Sequence, residues 1–302
     1  MFPSPDNRSL KTVPPTSADP GVVLTVDVEE WFHAPEHPLG RESAHWDRLP
    51  PSLPSAICRT LDLLESMQVR ATFFTLGWAA QKHPALVRRI AEAGHEIGCH
   101  GWDHTPLDRL DPEAFRRDLD RSRTVLQDLL GSKVTAYRAP RWSMGRRRWP
   151  YPILAETGFN ISSSRLCIAG LGLGRDHPKR IDGVLEIPAF SARFLGIPLP
   201  AGGTLALRIL PLGWLLRVRH RRTVRGRPAV YWFHPWEVDP QAPRLQAGAL
   251  FTAVRYGALK TLPARLAALV PAGDCTLSRA SDRWTAAQES PSSWYGAEKI
   301  DK

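Results

Sequence analysis

No apolar run in the sequence reaches the ~18 consecutive residues that a membrane-spanning helix needs. Cysteine is sparse as well. Cys58, Cys99, Cys167 and Cys275 are scattered and form no CxxC pair, which argues against a cysteine zinc site and fits a reducing compartment. The leading segment "MFPSPDNRSLKTVPPTSADP" carries proline and polar residues where a secretory leader would carry an apolar core. A cytoplasmic protein is expected. Negative charge is in deficit: 30 Asp and Glu face 40 Lys and Arg, a net charge of +10. Such an excess can mark a nucleic-acid binder. Here it is local, in "RVRHRRTVRGR" (217–227) and "GRRR" (145–148), and no nucleic-acid partner is expected. The first run follows the apolar "LALRILPLGWLL". An apolar stretch leading into a basic one suits a membrane surface or an anionic polymer, and equally a solvated basic loop. Contact with an anionic membrane surface through Arg217–Arg227, peripheral at the inner membrane, is therefore one expectation.

With 43% hydrophobic residues, the 302-residue chain can fill one large α/β barrel or two domains. No internal repeat is apparent. Residues 1–20 read as a disordered lead, 21–272 as the folded body, and 273–302 as a polar, disordered tail. Within the body, strands and helices alternate. "VVLTVD", "VRATFFTL", "HEIGCH", "KVTAYRAP", "FNIS", "VLEIP" and "AVYWFH" read as strands. Between the first two, Leu53, Ile57, Leu61, Leu64 and Met67 fall at helical spacing. Asp111, Pro112 and Gly131 bracket a strong helix as cap, first residue and stop. A last helix, "GALFTAVRYGALKTLPARLAALV", is expected to break near Pro263. This alternation means parallel βα units. The expected fold is a distorted (β/α) barrel of about seven parallel strands with helices outside, an open doubly wound sheet being the alternative.

The chemistry gathers at the strand ends. Asp27, His100, Arg138 and His234 end strands, and Glu186 lies near the end of another. In a βα barrel all such ends open onto one face. The first strand ends in "VDVEE", three carboxylates in four positions, which is costly unless something offsets the charge. "CHGWDH" supplies a candidate: His100 and His104 are four apart, and two imidazoles with a carboxylate are a common ligand set for a catalytic divalent metal. Zinc suits imidazole and carboxylate ligands best, other divalent ions remaining open. Asp27 and Glu29 project to the same side of an extended chain, with Glu30 on the other. Trp31, Phe32, Trp102, Trp142, Trp232 and Trp236 lie beside these motifs, where some could stack on sugar rings and others fill the core.

Taken together, "TVDVEEWFH", "ATFFTLGWAA", "HPALVRRIAEAGHEIGCHGWDH", "YRAPRWS" and "FHPWEVDPQAPR" resemble the NodB-type polysaccharide deacetylases of carbohydrate esterase family 4, and within them the subgroup tied to exopolysaccharide loci and exosortase systems. The resemblance implies metal-dependent removal of N-acetyl groups from the amino sugars of a polysaccharide or its lipid-linked precursor. It implies Asp27 as catalytic base, Arg138 as the arginine that holds it by a bidentate bond, and Pro140 as shaper of the following loop. It further implies an oxyanion donor in the Arg141 backbone N–H and a general acid in His234. Beside Arg141, Trp142 and Trp102 are the candidate substrate contacts. The family's second acid aligns with Val28, which cannot bind metal, so the implied ligand set shifts to Glu29, His100 and His104. The acid that would orient His234 has no clear match, with Glu186 as a substitute. The Val28 departure keeps open a metal-independent amide hydrolase on the same fold. The basic run keeps open a non-catalytic binder of anionic glycan or membrane.

Overall fold

The computed structural model describes residues 21–33, 43–167, 176–245 and 248–289. The expected lead over 1–20 lies outside the described residues. An eight-stranded sheet organises the chain. Its strands are β1 (Val22–Val28), β3 (Thr72–Thr75), β4 (Glu96–Cys99), β5 (Ala136–Tyr137), β6 (Ile161–Ser162), β7 (Lys179–Ile181), β8 (Val184–Glu186) and β11 (Ala229–Phe233). Small pairs are made by β2 (Val69–Arg70) with β12 (Gly273–Asp274) and by β9 (Ser191–Phe194) with β10 (Ile197–Pro200). The sheet order is β11-β1-β3-β4-β5-β6-β8-β7; every neighbouring pair is parallel except β7 with β8. Seven parallel strands are thus present, as expected. Among the described residues no pairing joins β11 to β7, so the sheet is a half-barrel rather than a closed one.

Register puts the chemistry in one place. Partners line up as Val28, Thr75, Cys99, Tyr137, Ser162 and Glu186 across six strands. Glu29, His100, Arg138 and Ser163 each follow a member of that row, so they leave the sheet along one edge. On the other side of β1, Phe233 pairs with Val26, which brings His234 level with Asp27. β1 is buried along its whole length, as befits a central parallel strand covered on both faces.

Helices α1 (Leu53–Ser66), α2 (Gly77–Lys82), α3 (Pro84–Glu92), α4 (Pro112–Leu130) and α5 (Pro150–Glu156) follow successive strands. Asp111 caps α4 by accepting from the Ala114 N–H, and Gly131 ends it at φ +63°, where a side chain would be strained. The second half of the chain adds α6 (Thr204–Ile209), α7 (Leu212–Val224), α8 (Ala249–Tyr256), α9 (Leu262–Leu269) and α10 (Leu277–Glu289).

Three expectations need correction here. The last helix of the body is broken, as expected, but ahead of Pro263. It breaks at Gly257 and Ala258, the latter at φ +56°, and Pro263 sits harmlessly in the first turn of α9. The segment from 273 is not an unstructured tail. β12 extends β2, and α10 lays Leu277 and Ala280 against Val23, Phe74, Ala136, Ile161, Leu185 and Val230. The Glu96 carboxylate caps α10 by accepting from the Leu277 and Ser278 N–H groups at 3.0 and 3.2 Å. Leu277, Ala280, Trp284 and Ala287 recur at spacings of three and four, a helical stripe that polar neighbours and small alanines obscure. Residues 290–302 lie outside the described residues. Finally, the arginines of 217–227 are not one solvated run. Arg222 is buried, with its guanidinium on Asp176, on the Pro228 carbonyl and over the Phe190 ring. Arg227 pairs with Asp176 at 2.9 Å, and Arg219 donates to the Leu269 carbonyl. Arg217, Arg221 and Arg225 remain exposed.

Candidate active site

The three acids of "VDVEE" have three different partners. Asp27, 3% exposed, accepts from Arg138 Nη1 at 2.7 Å. Arg138 is fully buried at the end of β5, with its guanidinium divided among several acceptors. Nη1 also reaches Thr25 Oγ1 at 2.7 Å, Nε donates to the Ser163 carbonyl and Nη2 to Ser163 Oγ. The bond to Asp27 is therefore single rather than bidentate, because the fork is spent on the β6 end. A buried guanidinium this fully bonded is fixed in place, and it fixes Asp27. Its face also lies over Trp142 at 4.3 Å and Phe74 at 4.2 Å.

Glu29 faces histidines. Its Oε1 lies 3.0 Å from both His100 Nε2 and His104 Nε2, and its Oε2 lies 3.9 Å from His234 Nε2. Burial opposes ionisation of Glu29, but the charges of His104 and His234 and the hydrogen bonds from His100 and His104 outweigh it. They hold its carboxyl well below the usual range. Glu30 turns away, as alternation requires. Its carboxylate accepts from the Ser52 and Leu53 N–H groups and from Ser52 Oγ at 2.6 Å, capping α1.

The donor set fits a divalent cation. One oxygen or nitrogen each from Glu29, His100 and His104 lie within 4.8 Å of one another, and so do atoms of Asp27, Glu29 and His234. The tautomer of His100 strengthens the case. Its Nδ1 lies 2.8 Å from the Arg138 carbonyl, an acceptor only, so the ring proton belongs there. In the neutral ring, Nε2 then presents a lone pair to a carboxylate oxygen. Two acceptors facing each other call for a second proton or a metal between them.

His234 approaches from β11. Its Nδ1 lies 2.9 Å from Glu237 Oε2, which also accepts the His234 N–H at 2.9 Å. Burial opposes protonation of His234, but Glu29, Glu237 and Asp27 outweigh it and push the imidazolium up to about 9. The carboxylate bonded to His234 is thus Glu237 rather than the expected Glu186. Glu186 is spent on the N–H groups of Ser164 and Arg165 and the Tyr151 hydroxyl. The sequence signal for Glu237 is its spacing, three residues past His234 across a proline-initiated turn.

The expected substrate contacts divide. Trp142 stands at the site, against Arg138 and Trp232. Arg141 and Trp142 both take left-handed backbone, at φ +57° and +56°, an uncommon pairing for non-glycine residues that recurs where loops are shaped for function. Trp102 does not line the site. It is buried against Gly77, where a Cβ would lie 2.5 Å from the ring, and under the Arg121 guanidinium. The sequence reading missed two further neighbours. His33 is buried and stacks at 20° to His104, and desolvation pushes its imidazole well below the usual value. Asp118 accepts the Trp102 N–H at 3.0 Å and so anchors the loop between His100 and His104.

Fold and site together define a parallel α/β half-barrel whose strand ends carry an Asp–Arg pair beside a Glu–His–His cluster. Within it, residues 44–159 match the sequence profile of the polysaccharide deacetylase family, and residues 173–284 match a domain of unknown function. The chain is 37% identical over 82 residues to a peptidoglycan-N-acetylglucosamine deacetylase of Bacillus cereus, a match covering 27% of this chain and 30% of that protein. It is 30% identical over 119 residues to a chitooligosaccharide deacetylase of Rhizobium leguminosarum bv. trifolii, covering 33% of this chain and 55% of that one. These matches span a third to about half of the relatives' length. A provisionally assigned polysaccharide deacetylase from Mycobacterium smegmatis superposes over 89% of this chain and 91% of its own, with 25% identity and a TM-score of 0.61. No helix among the described residues is long and apolar enough to cross a membrane.

Proposed function

We propose that the protein is a metal-dependent hydrolase that removes N-acetyl groups from the amino sugars of a polysaccharide or its lipid-linked precursor. One observation carries the reading: Arg138 holds Asp27 beside Glu29, His100 and His104, with His234 and its Glu237 on the opposite side. Glu29, His100 and His104 would hold the ion, zinc by ligand type. When bound, a divalent ion there supplies Lewis acidity toward an otherwise unreactive amide carbonyl. Asp27 takes the proton from the attacking water, held and aimed by Arg138. The N–H at Arg141 donates to the developing oxyanion. His234 gives its proton to the departing nitrogen, without which the amine does not leave. Acetate and a free amino sugar result. Trp142 offers a face for the sugar ring.

The test is acetate release from N-acetylated chitooligosaccharides, combined with metal analysis of the purified chain. One divalent ion per chain is expected, with both ion and turnover lost in His100→Ala. Full turnover after chelation would instead favour a metal-independent amidase.

A further inference from the structure

Among the described residues, the large apolar side chains left uncovered fall on a few neighbouring elements. Leu195 and Ile197 stand at the β9–β10 hairpin, Leu205 and Ile209 on α6, and Leu250 and Val254 on α8, all exposed. Leu195 is 86% exposed at φ +49°, an apolar residue held at the tip of a tight turn where glycine or asparagine would be ordinary. Leu205 and Ile209 are four apart, as are Leu250 and Val254, so each pair forms one stripe along its helix. The elements are neighbours. β10 runs into α6 across three residues, and Arg208 of α6 donates to the carbonyls of Val254, Arg255 and Gly257 at the end of α8. Phe194 of the hairpin packs edge-on against Trp214 of α7. α7 exposes Arg217, Arg221 and Val224, and Arg225 is exposed just past its end. These neighbouring elements together carry protruding apolar residues and unburied cations. α8 also reaches the site: Arg255 lies over the Trp236 ring, which stacks at 18° on His234.

We propose that this face docks the protein on an anionic phospholipid bilayer, the apolar stripes entering the interface and the α7 arginines meeting lipid phosphates. Protruding apolar side chains rimmed by arginine are the chemistry of interfacial membrane binding, and contiguous exposed apolar patches are uncommon on surfaces that stay in water. Charge complementarity selects the bilayer over a second copy of the chain, since two copies would bring their arginines together. The orientation brings the His234 side of the active site toward the membrane, where a glycan carried on a lipid would be within reach. That last step rests on the deacetylase reading; the docking does not.

Vesicle flotation of the full chain tests it, with phosphatidylcholine alone or with roughly 30% phosphatidylglycerol. Binding to the anionic vesicles is expected, and little to the neutral ones. Arg217→Gln, Arg221→Gln and Arg225→Gln combined should weaken it roughly 100-fold, each cation near such a surface being worth about a factor of five. Ile209→Ser with Leu250→Ser should abolish the binding that survives ~0.5 M salt, where screening lengths fall to a few ångströms. Acetate release from a soluble chitooligosaccharide should be unchanged in both. Failure of the unaltered chain to float with anionic vesicles, binding indifferent to the serine variants, or a dimer in solution that the serine variants dissociate would each overturn the proposal. Vesicle binding by a chain inactive on every N-acetylated sugar would overturn only the deacetylase reading.

Discussion

The two halves of the chain supply the active site by different means. Residues up to 162 build it from distant partners: Asp27 and Arg138 are 111 positions apart, Glu29 and His100 71 apart. Each contact exists only because parallel strands bring their ends into register. The second half contributes His234, the proposed proton donor, and steadies it locally through Glu237, three positions on. The arginines differ in the same way. Arg138 is fully buried and fully bonded, whereas Arg217 and Arg221 on α7, and Arg225 just past it, meet solvent. Chemistry that depends on long-range register is bound to the fold, and removing one member strands a buried charge. Chemistry held in one turn can be altered with the barrel intact.

The largest expected effects test the first half. Asp27→Asn keeps the shape but removes the base, and acetate release should fall by about 10²–10⁴ with metal content little changed. Glu29→Gln should reverse the order, losing metal first and activity with it. Glu30→Gln should be silent in both assays, because Glu30 caps α1 rather than facing the site. Equal metal loss in all three would dissolve the division of labour among the three acids.

A smaller effect tests the second half. Glu237→Gln should lower activity about 10–100-fold, the usual worth of a group that orients a catalytic histidine. Its signature is in the pH profile. Carboxylates raise the pKa of His234, so removing the nearest one lowers it, and the alkaline limb should move to lower pH. Glu186→Gln should leave that limb in place, since Glu186 bonds Ser164, Arg165 and Tyr151 instead. A shift in both variants would mean that the two acids act as one network.

How far the sequence could be read follows the same division. Strands, caps and the site acids were legible, because each left a periodic or motif-level mark: the β1 run, Asp111 with Gly131, and the spacing of His100 and His104. Glu237 carries a weaker mark, its spacing three residues past His234 in "HPWE", which any short proline-initiated turn shares. Helix α10 hid behind alanines and polar neighbours, although its docking on Glu96 decides its state. Trp102 was placed wrongly because a tryptophan beside a motif looks the same whether it faces solvent or Gly77. The half-barrel rather than a closed ring depends on which strand pairs with which, and side-chain pattern alone does not encode that.

The smallest expected effect separates the site end of the sheet from its opposite end. His95 stands just before β4, buried, with Nδ1 accepting the Ala71 N–H at 3.2 Å and its ring 5.0 Å from Phe73. Burial first, and Arg70 second, pull its pKa down to about 4. The unfolded chain keeps an ordinary imidazole near 6.5. Between those values the unfolded state binds the extra proton, so stability is full above about pH 6.5 and is lost as pH falls toward 4. After allowance for partial solvation of the ring, the loss should be on the order of 1–2 kcal/mol. Denaturant titrations across that range should show it, and His95→Gln should flatten the slope while leaving deacetylation at neutral pH unchanged. A His95→Gln slope parallel to that of the unaltered chain would place the acid limit elsewhere. The histidines of the active site would then be the groups to test, and the two ends of the sheet would not be separable by pH.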